Sequence, residues 1–221
     1  MDLASVDGIK LYRKMIKEAC VETFEEAAKA EQQGADRIEL CSELQNDGLT
    51  PAPDLMQKTC SLLKIPVMVM IRPRAGNFVY SSAEVEVMKQ HIDQAKEAGA
   101  AGIVLGLLTH DIKIDLENTR TLAEYAHPLP VTFHKAIDIT ENPVEGIKLL
   151  KGIKGIKRVL TSGGKATAKE GTETIRNMIR EAGEEIIILV AGKVTHENIE
   201  EIQQLTGGKE FHGKKIAGDL F

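Results

Sequence analysis

Seven residues near the ends of short apolar runs are of the types that move protons and hold anions: Glu18, Glu39, Arg72, Arg74, His134, Lys135 and Asp138. His134 titrates near neutrality and is the natural proton-transfer candidate, with Glu39 and Glu18 as candidate acid–base groups beside it. Arg72 and Arg74 flank Pro73, whose ring stiffens the backbone that presents them; two guanidinium forks there would clamp a carboxylate or phosphate. Thr161 and Ser162, ahead of Gly163 and Gly164, offer hydroxyls and backbone N–H groups to an anion, and Asp138 joins this candidate substrate-binding set. A tight turn that needs glycine explains Gly163 and Gly164 equally well. For the charged set the alternative is mutual neutralisation, because interior charges need partners; Glu39 with Arg37 or Arg72 fits such an ion pair. His134 and Lys135 are adjacent, so alternation along a strand predicts only one of them pointing inward.

The elements that must position these groups show in the periodicity. In ADRIELCSE, Ile38 and Leu40 face one way while Arg37, Glu39 and Cys41 face the other. Eight such β-like runs recur, at 16–22, 37–42, 65–73, 101–108, 129–138, 156–164, 185–193 and 209–213. Amphipathic helical stretches separate them: TFEEAAKAEQQ opens with a Thr23/Glu26 capping pattern, and SSAEVEVMKQHIDQAKEAG keeps Val85, Met88, Ile92 and Ala95 on one face. Eight strands alternating with helices predict the α/β class and an eight-stranded parallel (β/α)8 TIM barrel. An open doubly wound sheet would carry a glycine-rich phosphate loop after its first strand, where this chain reads CVETFEE.

A barrel collects its active site at the C-terminal strand ends. Those ends carry Glu18, Cys20 and Glu22, then Glu39 and Cys41, Arg72 and Arg74, Thr132 and His134, Thr161 and Ser162, and His212. Arg37 and Arg158, near strand starts, are expected in the barrel floor. After the eighth run only KKIAGDLF remains, so the last outer helix is expected to be truncated or missing, with residues 1–14 or a neighbouring subunit over the gap. The domain reading is one barrel over 15–221 preceded by an extension at 1–14.

Composition narrows the function. The net charge of −5 offers no general basic surface to nucleic acid or an anionic membrane, and aromatics at 4% argue against base stacking. No apolar run approaches the roughly 20 residues of a membrane span, and the first residues lack the apolar block of a signal peptide. Three widely spaced cysteines fit reduced thiols in the cytoplasm better than a disulfide framework.

Seven ordered blocks, GADRIELC, GLTPAPDLM, MIRPRAGNFVYS, VMKQHIDQAKEAGAAGIVLGLLT, LPVTFHKAID, RVLTSGG and EFHG, closely resemble the CutC copper homeostasis family, from about Met15 to His212. The resemblance implies a (β/α)8 barrel, a cytoplasmic location, self-association into a homo-oligomer, and copper handling through Cu(I) bound by two cysteines. Those cysteines fall on Cys20 and Cys41. Thiolate is a soft ligand suited to Cu(I), and adjacent strands about 4.8 Å apart would bring both sulfurs to one ion. Cys60, outside these blocks, reads as a packing residue. Two departures from the family pattern stand out: Lys193 replaces a glycine in the turn after strand seven, and Lys214 and Lys215 follow EFHG. Two functional readings stay open. One is copper binding by Cys20 and Cys41; the other is an enzyme acting on a small anionic metabolite, with Arg72 and Arg74 as clamp and His134 or Glu39 as acid–base group. Neither reading calls for an organic cofactor.

Overall fold

The computed structural model describes residues 15–220. Eight parallel strands close a barrel in sequence order: β1 (Ile16–Val21), β2 (Arg37–Leu40), β3 (Val67–Met70), β4 (Gly102–Leu105), β5 (Val131–Phe133), β6 (Ile156–Thr161), β7 (Ile187–Val190) and β8 (Glu210–Gly213). Seven helices wrap it: α1 (Phe24–Gln32), α2 (Pro53–Leu62), α3 (Ser82–Glu97), α4 (Leu116–Ala126), α5 (Pro143–Lys151), α6 (Thr172–Ala182) and α7 (Ile199–Thr206). The TIM-barrel expectation holds. None of the helices is long and apolar enough to cross a membrane.

Alternation within each strand sorts the side chains into two layers. Ala19, Val21, Ile38, Leu40, Val69, Ile103, Leu105, Val131 and Phe133 face the helices and form the main apolar core with Met88, Ile92 and Leu122. Each such large side chain, fully buried, stabilises the fold by about 1.5–3 kcal/mol. The opposite faces fill the barrel: Glu18 and Cys20, Arg37 and Glu39, Met68 and Met70, Val104, His134, Leu160, Leu189, Glu210 and His212. Closure puts β1 between β2 and β8. Glu18 therefore stands opposite both Arg37 and His212, and Cys20 stands opposite Glu39.

The helix starts obey local chemistry. Thr23 accepts from the N–H of Glu26 while the Glu26 carboxylate accepts from the N–H of Thr23, and Ser81 with Glu84 repeats the pattern at α3.

Three expectations change. The run 129–138 shortens to Val131–Phe133, because the backbone turns into a 3-10 segment at 135–139. The imidazole of His134 caps that turn, accepting from the N–H of Ala136 at 3.1 Å. Strand alternation therefore stops at Phe133, and His134 and Lys135 both line the barrel mouth. Second, no helix follows β8 among the described residues, as expected, but the segment after it closes part of the gap itself. Ile216 and Leu220 bury into the core, the Lys215 carbonyl accepts from the N–H of His196 at 3.0 Å, and Asp219 O accepts from Gln33. The proposed 1–14 extension lies outside the described residues.

Third, Lys193 takes over the backbone role of a glycine. Its φ is +56°, in the left-handed region, with its carbonyl held by Asn198 Nδ2 at 2.9 Å. A side chain there costs roughly 1–2 kcal/mol that glycine avoids. Lys193→Gly is expected to raise stability by about 1 kcal/mol, a rise in Tm of roughly 2–4 °C. Calorimetry showing a lower Tm would contradict this. Lys193 is exposed and outside the mouth; of Lys193, Lys214 and Lys215, only Lys214 lines it.

Candidate metal and ligand site in the barrel mouth

The floor of the barrel is a buried ion network. Arg37 donates from Nε to Glu18 and from Nη2 to Glu210 at 2.5 Å, and Arg158 donates to the same Glu210 carboxylate at 2.8 Å. The expected ion pair of Glu39 with Arg37 or Arg72 does not form: Arg37 is taken by Glu18 and Glu210, and Arg72 by loop carbonyls. Burial alone would raise the carboxyl of Glu18. The hydrogen bond from His212 and the charge of Arg37 outweigh it and hold the group at about 2.

Glu18 links this floor to the layer above. Its second oxygen meets His212 Nδ1 at 2.9 Å, which leaves His212 Nε2 facing Glu39 at 3.7 Å. The sulfur of Cys20, a Glu39 oxygen and a His212 nitrogen all lie within 4.8 Å of one another. Cys41 joins from β2's end, its Sγ 3.5 Å from Glu39 Oε2. Cys41 beside it pulls the Cys20 thiol well below the usual range, against burial and with help from His212. Cys41, next to Cys20 and buried beside Glu39, is pushed well up. Burial likewise raises Glu39 well above the carboxylate range; it opposes the shift of His212, which Glu39, Cys20 and Glu18 beside the ring nevertheless raise. A thiol pair, an imidazole and a carboxyl, with a carboxylate orienting the imidazole from behind, is a donor set suited to a soft or borderline metal ion.

Above this cluster opens a cavity of about 450 Å³, within the size range of small-molecule sites. Cys20, Glu39, Cys41, Arg72, His134, Asp138 and Ser162 line it; Glu18, Arg74 and Thr161 do not. Arg72 and Arg74 do not form a paired clamp. Arg74 turns outward to Glu84 and to the carbonyls of Asn77 and Val79. Arg72 stays inside, giving its terminal nitrogens to the carbonyls of Asn46, Gly48 and Gly76, and keeps a buried Nε with no partner.

The cradle after β6 is already filled from within the chain. Asp138 accepts from the N–H groups of Ser162 and Gly164, both at 2.9 Å, from the hydroxyls of Ser162 and Thr161, and from Lys135 Nζ at 2.7 Å. Thr161, Ser162 and Asp138 are brought together, but around each other.

The sequence profile of the CutC family matches residues 15–217. The chain belongs to the CutC family. A human relative, "Copper homeostasis protein cutC homolog", is 44% identical over 197 residues, covering 89% of this chain and 72% of that protein. A CutC family protein of Xanthomonas campestris pv. campestris is 41% identical, covering 88% and 81%. A crystal structure described as a CutC copper homeostasis protein, from Streptococcus agalactiae, superposes with a TM-score of 0.87 at 33% identity, over 91% of this chain and 99% of that one. More distant barrels, such as an aldolase at 13% identity and a TM-score of 0.70, share the fold.

Within this CutC barrel, the sequence reading placed His212 at a strand end and gave it no role. Its signal was the parity of EFHG: once Glu210 faces inward, His212 must as well. Cys60 is half-buried in α2, away from the mouth, and burial raises its thiol to about 11.

Proposed function

We propose that this CutC chain handles copper, taking Cu(I) as cargo between Cys20 and Cys41 with His212 and Glu39 beside the ion. The observation that carries this reading is the cluster of Cys20, Glu39 and His212, whose donor atoms lie within 4.8 Å of one another, with the Cys41 sulfur 3.5 Å from Glu39. The names of the human and Streptococcus agalactiae relatives support it. Three free cysteines fit a reducing cytoplasm, and a homo-oligomer completes the proposal.

Anaerobic Cu(I) titration against a competing chelator tests the site. Outer-shell substitutions typically lower metal affinity by about 10–100-fold, so loss of both thiolates in Cys20→Ser/Cys41→Ser is expected to exceed that, with His212→Ala near that range. Equal affinity in the double variant and the parent would rule the site out.

One observation favours the second reading, an enzyme acting on a small anionic molecule. A two-thiolate ion site leaves most of the 450 Å³ cavity unused, along with the unpartnered buried Nε2 of His134 and Nε of Arg72.

A further inference from the structure

Two residues lining the mouth, His134 and Arg72, carry buried N–H donors that nothing among the described residues satisfies. His134 is only 4% exposed and its Nδ1 accepts from the Ala136 N–H, so the proton of the neutral ring sits on Nε2. That Nε2 has no partner, and neither has the Nε of Arg72, a residue only 3% exposed. Buried donors left empty are destabilising, and native proteins keep few of them.

The His134 ring is held in place rather than free to turn away. It packs against Phe78 at 4.8 Å and Phe133 at 6.1 Å, and a Cβ on Gly106 would collide with its imidazole. The guanidinium of Arg72 rests on the same Phe78 ring, at 4.9 Å. Burial and the Arg72 charge lower the imidazole to about 3, which keeps it neutral and donating at physiological pH.

At the rim lysines outnumber the one exposed carboxylate, Asp47. Lys165 and Lys214 line the cavity and, among the described residues, neither pairs with a carboxylate, whereas Lys135 is matched by Asp138. A phosphate would ordinarily seek a nest of backbone N–H groups at this end of a barrel. Here that nest, after β6, already holds Asp138. Two separate N–H donors suit a planar carboxylate better, one for each oxygen.

We propose that the mouth binds a small dicarboxylate, one carboxylate accepting from His134 Nε2 and Arg72 Nε at the inner end and the other facing Lys165 and Lys214. This rests on the reading of the mouth as a small-molecule site and supplies its ligand class.

Malonate and inorganic phosphate are the probes, added to copper-free, ¹⁵N-histidine-labelled protein. Malonate is expected to shift the Nε2–H resonance of His134 saturably in the parent protein, which requires no variant to fold. His134→Phe is expected to weaken malonate binding roughly 10–100-fold. Lys214→Ala should weaken it severalfold and flatten its salt dependence. Malonate binding that ignores His134→Phe would overturn the placement. Phosphate binding without malonate binding would overturn the dicarboxylate class while sparing the small-anion reading. Silence of the His134 signal toward both probes would remove both.

Discussion

Arg37→Met is expected to destabilise the protein by about 3–5 kcal/mol at neutral pH, the range for removing one partner from a buried ion network. Arg37 is 6% exposed and serves two carboxylates from different strands, Glu18 on β1 and Glu210 on β8. Without it, Glu18 keeps only His212, and Glu210 keeps only Arg158 at the edge of the network. Methionine restores much of the volume, so the loss reports charge rather than a cavity. The defect should also depend on pH. Folded Glu18 titrates at about 2 against 4.5 for an ordinary carboxyl, so its contribution is present above pH 4.5 and disappears as pH falls toward 2. Removing Arg37 shrinks that contribution, so parent and variant should converge on acidification. Urea unfolding at pH 7.5 and pH 4 measures both effects. A loss below about 1 kcal/mol at pH 7.5 would show that the floor network is not structural in this sense. Arg158→Met should be milder, because its side chain is 19% exposed and Glu210 keeps Arg37.

The second large effect belongs to His134. Its folded value is about 3 and its ordinary value 6.5, so the unfolded chain binds a proton between those limits that the folded chain refuses. Stability contributed by the neutral ring is full above pH 6.5 and declines as pH falls toward 3. Between pH 7 and pH 5 the decline amounts to roughly 2 kcal/mol. His134→Gln removes the titrating group, so the stability difference between parent and variant should move by that amount over the interval. His212 works in the opposite sense: its raised value stabilises the fold below pH 6.5 and loses that contribution as pH rises through the folded value. It is common to both proteins and drops out of the comparison. Ring resonances give an independent check, since those of His134 should stay constant from pH 8 to pH 4. A difference between parent and variant that stays flat with pH would contradict the buried neutral imidazole.

Local pattern carried much of the architecture. Strand alternation identified Arg37 and Glu39 as inward residues, and the floor role of Arg37 and Arg158 followed from their position at strand starts. The Thr23/Glu26 and Ser81/Glu84 caps are short-range chemistry and formed as their spacing dictates. The site was less legible. His134 and Lys135 were assigned opposite faces because a strand was expected to continue past Phe133, and only the capping bond to Ala136 shows that it stops. Arg72 and Arg74 looked like a matched pair around Pro73. Their guanidinium groups part company because Glu84 draws one outward and loop carbonyls hold the other within the mouth.

By itself the sequence determined the barrel class, its eight strand runs, the inward parity of β1 and β2, and the family. These depend on side-chain period and local hydrogen bonding, which a linear reading senses directly. Only the tertiary structure decided that His212, 194 residues beyond Glu18, closes on it and on Cys20, and that Asp138 occupies the nest after β6. Those meetings follow from the pairing of β8 with β1 and from the turn after β5. Both are set by closure of the whole sheet, where residues far apart along the chain compete for the same buried partners.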